Sequence, residues 1–320
     1  MNGATTFQPL GATTISLGLS AREGTGREVV DGLSRDATDA VAAGFDGVTL
    51  SEHHGGFPHY VPSPVLLSGV LLSRLPHGFA CAAPSILPLR TPVTVAEDLA
   101  WLDAAYPDRV GAGFVPGYQQ GDFEAVGCDF THRQPAFWEG LASVMTALGR
   151  GDGPSPVTGD PAVSGLQARS VPVCAGVGGP VGVRRAARLG VGLLVTSLRP
   201  AHEAGELVRI HREAGGTGSV VLIRRVHVGA GAAGFGSSMA DWERGSGKDW
   251  LRPDGEALAT GTPTAVADAL VEAVRTSGCT ALNLRLDTYT HDASQVSHQV
   301  EVLGAEVLPR VREALGWTRA

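Results

Sequence analysis

Along this chain, short apolar runs rich in β-branched residues alternate with longer stretches whose apolar positions recur at helical spacing. The short runs predict strands at 13–19 (TTISLGL), 47–52 (GVTLSE), 78–84 (GFACAAP), 109–115 (RVGAGFV), 171–177 (VPVCAGV), 192–197 (GLLVTS), 220–228 (VVLIRRVHV) and 279–286 (CTALNLRL). The stretches between them predict helices at 27–43, 62–75, 93–105, 133–149, 181–189, 201–214, 263–277 and 295–315. The strand runs are apolar nearly throughout, as expected where both faces of a parallel sheet are covered. Eight βα units in strict order imply an α/β fold of the (β/α)8 TIM-barrel type. An open doubly wound sheet is the alternative, and it rarely needs eight consecutive units.

Two segments exceed the minimal unit. Residues 150–170 are dense in turn formers, and 229–262 are Gly-rich with Trp242 and Trp250. Loops of that length are usually lids or binding segments, or disordered. Neither reads as a linker, so one domain over 1–320 is expected.

Composition narrows the class. With 43% hydrophobic residues, 18% charged and a net charge of −7, the chain is globular and lacks the basic surface of a nucleic-acid binder or a polybasic membrane anchor. Its opening has no positive region ahead of an apolar one, and no apolar run approaches the roughly 20 residues of a membrane helix. Cys81, Cys128, Cys174 and Cys279 are isolated, without a CxxC pair, and three lie in strand-like runs. A reducing, cytoplasmic setting is expected.

Candidate chemistry starts at Ser51-Glu52-His53-His54, which closes the second predicted strand. Barrel enzymes place their active sites at the carboxyl ends of the strands. Glu52 and the histidines could equally satisfy one another or cap the next segment. Successive strand residues face opposite ways, so Glu52 and His54 share one side and His53 the other, which argues against three ligands to one metal ion. The run AGVGGPVGVRR (175–185) brings glycines from a strand into a helix, where amides and the helix dipole favour an anion. Arg224, Arg225 and His227 lie in the seventh strand, either facing a substrate cavity or paired with Asp287.

The blocks GFDGVTLSEHHGG, LPLRTPVTVAEDLAWLD, GAGFVPGYQQGDFEAVG, VPVCAGVGGPVGVRRAARLG and GTPTAVADAL occur together, spread over most of the chain. In combination they resemble the bacterial luciferase-like flavin monooxygenase family, a TIM-barrel family. The resemblance implies reduced FMN lying across the strand ends, O2 and a small organic molecule as co-substrates, and His53 as the catalytic proton-transfer residue. It places Glu52 and Tyr118 beside the cofactor. It also matches Ala83-Pro84 to a cis-peptide bulge under the flavin, although Pro84 could simply terminate the strand. The phosphate tail would meet Val177, Gly178, Gly179, Gly182 and Thr196. Many relatives carry an arginine where Pro116 stands. Arg184 or Arg185 would then supply the charge, or flavin would bind as a diffusible cosubstrate, or the cofactor differs. His59 and Tyr60 are candidates for the substrate side. No GxGxxG after a strand marks an NADH domain, so a separate flavin reductase is expected as partner, with a homodimer implied by the family. Coenzyme F420-dependent hydride transfer, or a non-catalytic subunit, are the other readings.

Overall fold

The computed structural model describes residues 8–151, 153–166, 171–229, 258–286 and 292–318. Strands β1 (Ile15–Leu19), β2 (Gly47–Leu50), β3 (Phe79–Ile86), β4 (Val110–Val115), β5 (Val173–Ala175), β6 (Gly192–Val195) and β7 (Val220–Val228) pair in sequence order, all parallel. β9 (Ala281–Leu286) pairs with β7 on one side and β1 on the other, closing an eight-stranded parallel barrel. The short β8 (Leu258–Gly261) adds to the upper half of β7, beyond the point where β6 has ended. It lies inside the segment 229–262 expected as an excursion; residues 230–257 of that segment, with Trp242 and Trp250, fall outside the described residues, as does Asp287.

Each strand divides its residues between two cores. Ile15, Leu17, Val48, Leu50, Ala80, Ala82, Phe114, Val173, Leu193, Leu222, Leu282 and Leu284 face outward into the layer shared with the helices. The alternate positions Phe79, Cys81, Ala83, Cys174, Leu194, Val221, Ile223 and Ala281 fill the barrel interior. This is why the strands read as continuous apolar runs: both faces are dry. Three of the four cysteines are buried there or in the helix layer, and all four are thiols. Burial pushes the Cys174 thiol up to about 12.

The helices follow their local signals. Thr25 and Glu28 form a capping box that starts α1 (Gly26–Ala42). Thr262 caps the helix Pro263–Ser277, and Gly278 ends it in the left-handed region. The C-terminal helix expected over 295–315 is instead Ala293–Val302, a π-helical turn Leu303–Val307, and Leu308–Leu315. Pro309 has no N–H for the carbonyl four residues back, so the ladder widens just before it. Two further helices, α4 (Gln120–Val126) and Pro161–Gly165, were not expected. Among the described residues, no helix is long and apolar enough to cross a membrane.

At the amino end of the barrel, His211 is fully buried, and its Nε2–H donates to the Val191 carbonyl at 3.0 Å. Its Nδ1 has no hydrogen-bond partner. Burial chiefly, with the Arg212 charge, lowers its pKa, against the opposing bond to Val191. The unfolded imidazole takes up a proton near 6.5, and the folded one only at lower pH. Below about 6.5 the unfolded state therefore binds more protons, and stability falls as pH drops. The urea midpoint should be lower at pH 5.5 than at 7.5, and His211→Gln should flatten that difference.

Candidate active site

The second strand ends at Leu50, and the chain then reverses. Gly55 and Gly56 adopt left-handed φ values of 66° and 76°, which a side chain would strain. The reversal returns Val61 to β2: His53 N donates to Val61 O at 3.3 Å, and Val61 N to Ser51 O at 3.3 Å. Strand alternation persists through the turn. Thr49 and Ser51 face the barrel interior, where Asn283 donates to Thr49 Oγ1 at 3.0 Å and Arg285 donates to Ser51 Oγ at 3.0 Å.

Glu52 faces the other way. Its carboxylate accepts from Ile86 N at 2.9 Å, from Arg90 Nη2 at 2.7 Å, and from the Ser85 hydroxyl. His54 Nε2 lies 2.8 Å from the same carboxylate, so Glu52 and His54 share a side. The backbone of Glu52 also donates to Pro84 O at 3.0 Å. Glu52 thus clamps the end of β3, where the Ala83–Pro84 peptide is cis and the β3–β4 register slips between Ala82 and Ser85.

His53 is enclosed on several sides. Phe57 stacks on its ring at 4.3 Å between centroids, and Tyr60 meets it edge-on at 4.5 Å. From beyond β4 come Tyr118, whose hydroxyl is 3.1 Å from Nε2, and Asp122, whose Oδ2 is 2.7 Å from Nδ1. Asp122 Oδ1 accepts from His54 N at 2.7 Å, so one buried carboxylate fixes both the ring and the backbone behind it. Gly117, at φ 79°, makes the turn after β4 possible, since a Cβ there would sit 2.8 Å from Ile86 and Phe123. Asp122 lies in the first turn of α4, where the helix dipole favours its charge. An ionised carboxylate only accepts, so Nδ1 carries the proton and Nε2 faces the phenol. The arrangement can exchange a proton at Nε2, with Asp122 orienting the ring.

The glycine run forms a second cluster. Gly179 caps α7 (Pro180–Arg188), whose first turn presents the amides of Val181 and Gly182. A Cβ on Gly182 would meet Val177 at 3.2 Å and Trp138 at 3.3 Å, while one on Gly179 would stand in open space. Arg185 lies over Trp138, 5.1 Å from the ring centre, and Arg184 is exposed. Thr196, after β6, is half-buried and accepts from Leu198 N at 3.4 Å. Arg199 joins the two strand ends, donating to Gly178 O at 2.9 Å and to Glu203 at 3.0 Å.

Sequence reasoning missed Asp122, Ser85, Arg90 and Arg199. Asp122 stood inside the GYQQGDF block, but nothing local ties an aspartate there to a histidine 69 residues earlier. Among the described residues, no three His, Cys, Asp or Glu side chains are grouped to hold a metal ion.

The model of the family "Luciferase-like monooxygenase" matches residues 13–281, and the chain belongs to that family of oxidoreductases. A curated relative, the F420-dependent glucose-6-phosphate dehydrogenase of Tsukamurella paurometabola, is 29% identical over 178 residues, 50% of this chain and 52% of that one. The chain therefore spans about half the length of the curated relative it matches. Among solved structures, a monooxygenase from Streptomyces bottropensis superposes with TM-score 0.76 at 16% identity, covering 92% of this chain and 99% of that one. The oxygenating constituent of the Pseudomonas putida 3,6-diketocamphane monooxygenase, in complex with FMN, gives 0.73 at 16% identity, with 94% and 99% covered. An F420-dependent secondary alcohol dehydrogenase with an F420–acetone adduct gives 0.72 at 17%, again with 94% and 99% covered. Members of the family thus work with FMN or with F420.

Removing the cation beside the buried Glu52 tests the clamp. Arg90→Ala should cost about 3 kcal/mol in urea unfolding, the low end for breaking a buried ion pair, because the Arg90 side chain is 24% exposed.

Proposed function

We propose that this chain is an oxidoreductase that uses reduced FMN and O2 on a small organic substrate at the carboxyl ends of the barrel strands. The observation that carries this reading is His53, with Nδ1 held by Asp122 and Nε2 directed at the Tyr118 hydroxyl. Bound FMN would supply the reducing electrons and the reaction with oxygen. The chain's own part is to hold a proton at Nε2, to pass it through Tyr118, and to keep water from the ring with Phe57 and Tyr60. The α7 start suits an anionic tail: free amides, open space at Gly179, and Arg185 and Arg199 close by. Ala83 and Pro84 would support the cofactor from the β3 bulge. Glu52 would act beneath it, as the clamp on that bulge.

A second reading, hydride transfer with coenzyme F420, is favoured by the curated relative and by Pro116, which removes a cation that many relatives offer a phosphate. A flavin reductase as supplier and a homodimer belong to the first reading as further proposals.

Anaerobic titration separates the two. Reduced FMN should bind in the micromolar range with a change in its absorbance; tight F420 binding with no response to FMN would overturn the first reading in favour of the second. On mixing the FMN complex with oxygen, reoxidation should differ in rate from that of free reduced FMN. His53→Ala and Asp122→Asn should each change that rate by roughly 10-fold or more, with FMN affinity kept within a few-fold. Unchanged reoxidation in both variants would support a non-catalytic chain.

A further inference from the structure

His53 is 6% exposed, with Nδ1 engaged by Asp122, Nε2 by Tyr118, and one ring face covered by Phe57. A proton-transfer group must meet its substrate, so one of these covers has to move. Asp122 is buried and holds His54 N as well as the ring. Tyr118 follows Gly117, around which Ile86 and Phe123 pack to 2.8 Å from where a Cβ would stand. Phe57 is held differently. It packs against neither hydrophobic core of the described residues, and its ring rests on those of His53 and Tyr60.

The turn that carries Phe57 is pinned at its ends and open between them. At one end His54 N is bound to Asp122; at the other, His59 O accepts from Ala21 N at 3.0 Å, and Val61 pairs back with Ser51 and His53. Between these points Gly55, Gly56 and Pro58 are exposed. A Cβ on Gly56 would meet nothing within 4 Å, and one on Gly55 would have its nearest neighbour, Ala125, at 4.0 Å. Hinges are short runs of this kind, in which a few residues absorb the change in backbone angles. His59 takes φ 70°, uncommon for a residue with a side chain, so the turn is held in a sparsely populated form. The place that Phe57 fills has a defined shape. Its ring lies 21° from parallel to His53, while Tyr60 closes the side, 73° from the Phe57 plane and 5.6 Å away between centroids. A stacked wall and an edge-on wall are the two arrangements that aromatic rings prefer.

We infer that Phe57 is a movable plug: it swings out on Gly55 and Gly56, and a planar aromatic ring of the substrate takes its place against His53 and Tyr60. Without substrate the plug keeps water from the imidazole; with it, the substrate's own ring does so. This rests on the reading above in taking His53 as the group that meets the substrate. The cofactor's ring system is also flat and aromatic, and the test separates the two sources.

Calorimetric titration of the protein without cofactor would compare 2-naphthol with its saturated, non-planar analogue decahydro-2-naphthol. The planar alcohol should bind at least about five-fold tighter. Para-fluorophenylalanine at all nine phenylalanines gives a set of fluorine NMR signals, and the one lost in Phe57→Leu belongs to Phe57. 2-Naphthol should move this signal toward its position in the unfolded protein and leave those of the buried Phe123 and Phe137 in place. Gly55→Ala and Gly56→Ala add a methyl that has room but disfavours left-handed backbone, so each should move the signal the same way without ligand. Gly56→Asn, which tolerates that backbone, should leave it in place. Equal affinity for the two alcohols, a Phe57 signal unmoved at saturating 2-naphthol, or one unmoved in both alanine variants would overturn the inference. So would FMN alone displacing Phe57 and excluding 2-naphthol, which would assign the slot to the cofactor. If neither FMN nor F420 bound while 2-naphthol still displaced Phe57, the slot would stand and the cofactor reading would fall.

Discussion

The buried carboxylate of Glu52 is the constraint from which the rest of the site follows. A charge in that position is tolerated only with donors on its oxygens, and here they come from β3 (Ser85 and the Ile86 amide), from Arg90 beyond it, and from His54. Partners on the stretch 85–90 can reach a carboxylate just past β2 only if the ends of β2 and β3 are in register. Glu52 therefore acts as a rivet between strands. Because it must face outward to reach those donors, His53 must face inward.

Parity then distributes chemistry over the barrel. A slip of one residue in β2 would exchange the two faces, sending His53 into the helix layer and Glu52 into the mouth. The Glu52–Val61 bridge prolongs the pairing past Leu50 and guards against that slip. Inside the barrel, composition changes with height. Phe79, Cys81, Cys174 and Val221 make a dry floor. Above them Asn283 spans to Ser16 and Thr49, and above that come Ser51 and Arg285. The floor gives rigidity, and the polar groups sit on strands rather than on flexible loops. This favours a precisely held site.

What the sequence disclosed and what it hid divide along the same physical line. Strand order, the eight-fold βα rhythm, the opposed faces of Glu52 and His53, and the unusual cations of strand seven are properties of local pattern, and pattern is legible. The partner of His53 is not. Asp122 reaches it because β2 and β4 belong to one closed barrel and Gly117 turns the chain toward it. Arg199 likewise meets Gly178 only through the β5–β6 neighbourhood. The broken C-terminal helix was foreshadowed by Pro309, whose missing amide outweighed the helical period around it.

The absence of arginine at position 116 acquires a meaning from these contacts. A guanidinium dedicated to a phosphate would grip it with paired, charge-assisted bonds. Here the nearby cations are already shared: Arg199 with Glu203 and the Gly178 carbonyl, Arg185 with the face of Trp138. Each contributes field more than fixed geometry, and the α7 amides are left as the directional donors. In the proposed site, an anionic cofactor held this way would exchange readily. In the FMN reading proposed above, such a site would suit a reduced cofactor that arrives by diffusion, whereas Pro116 taken by itself fits the F420 reading.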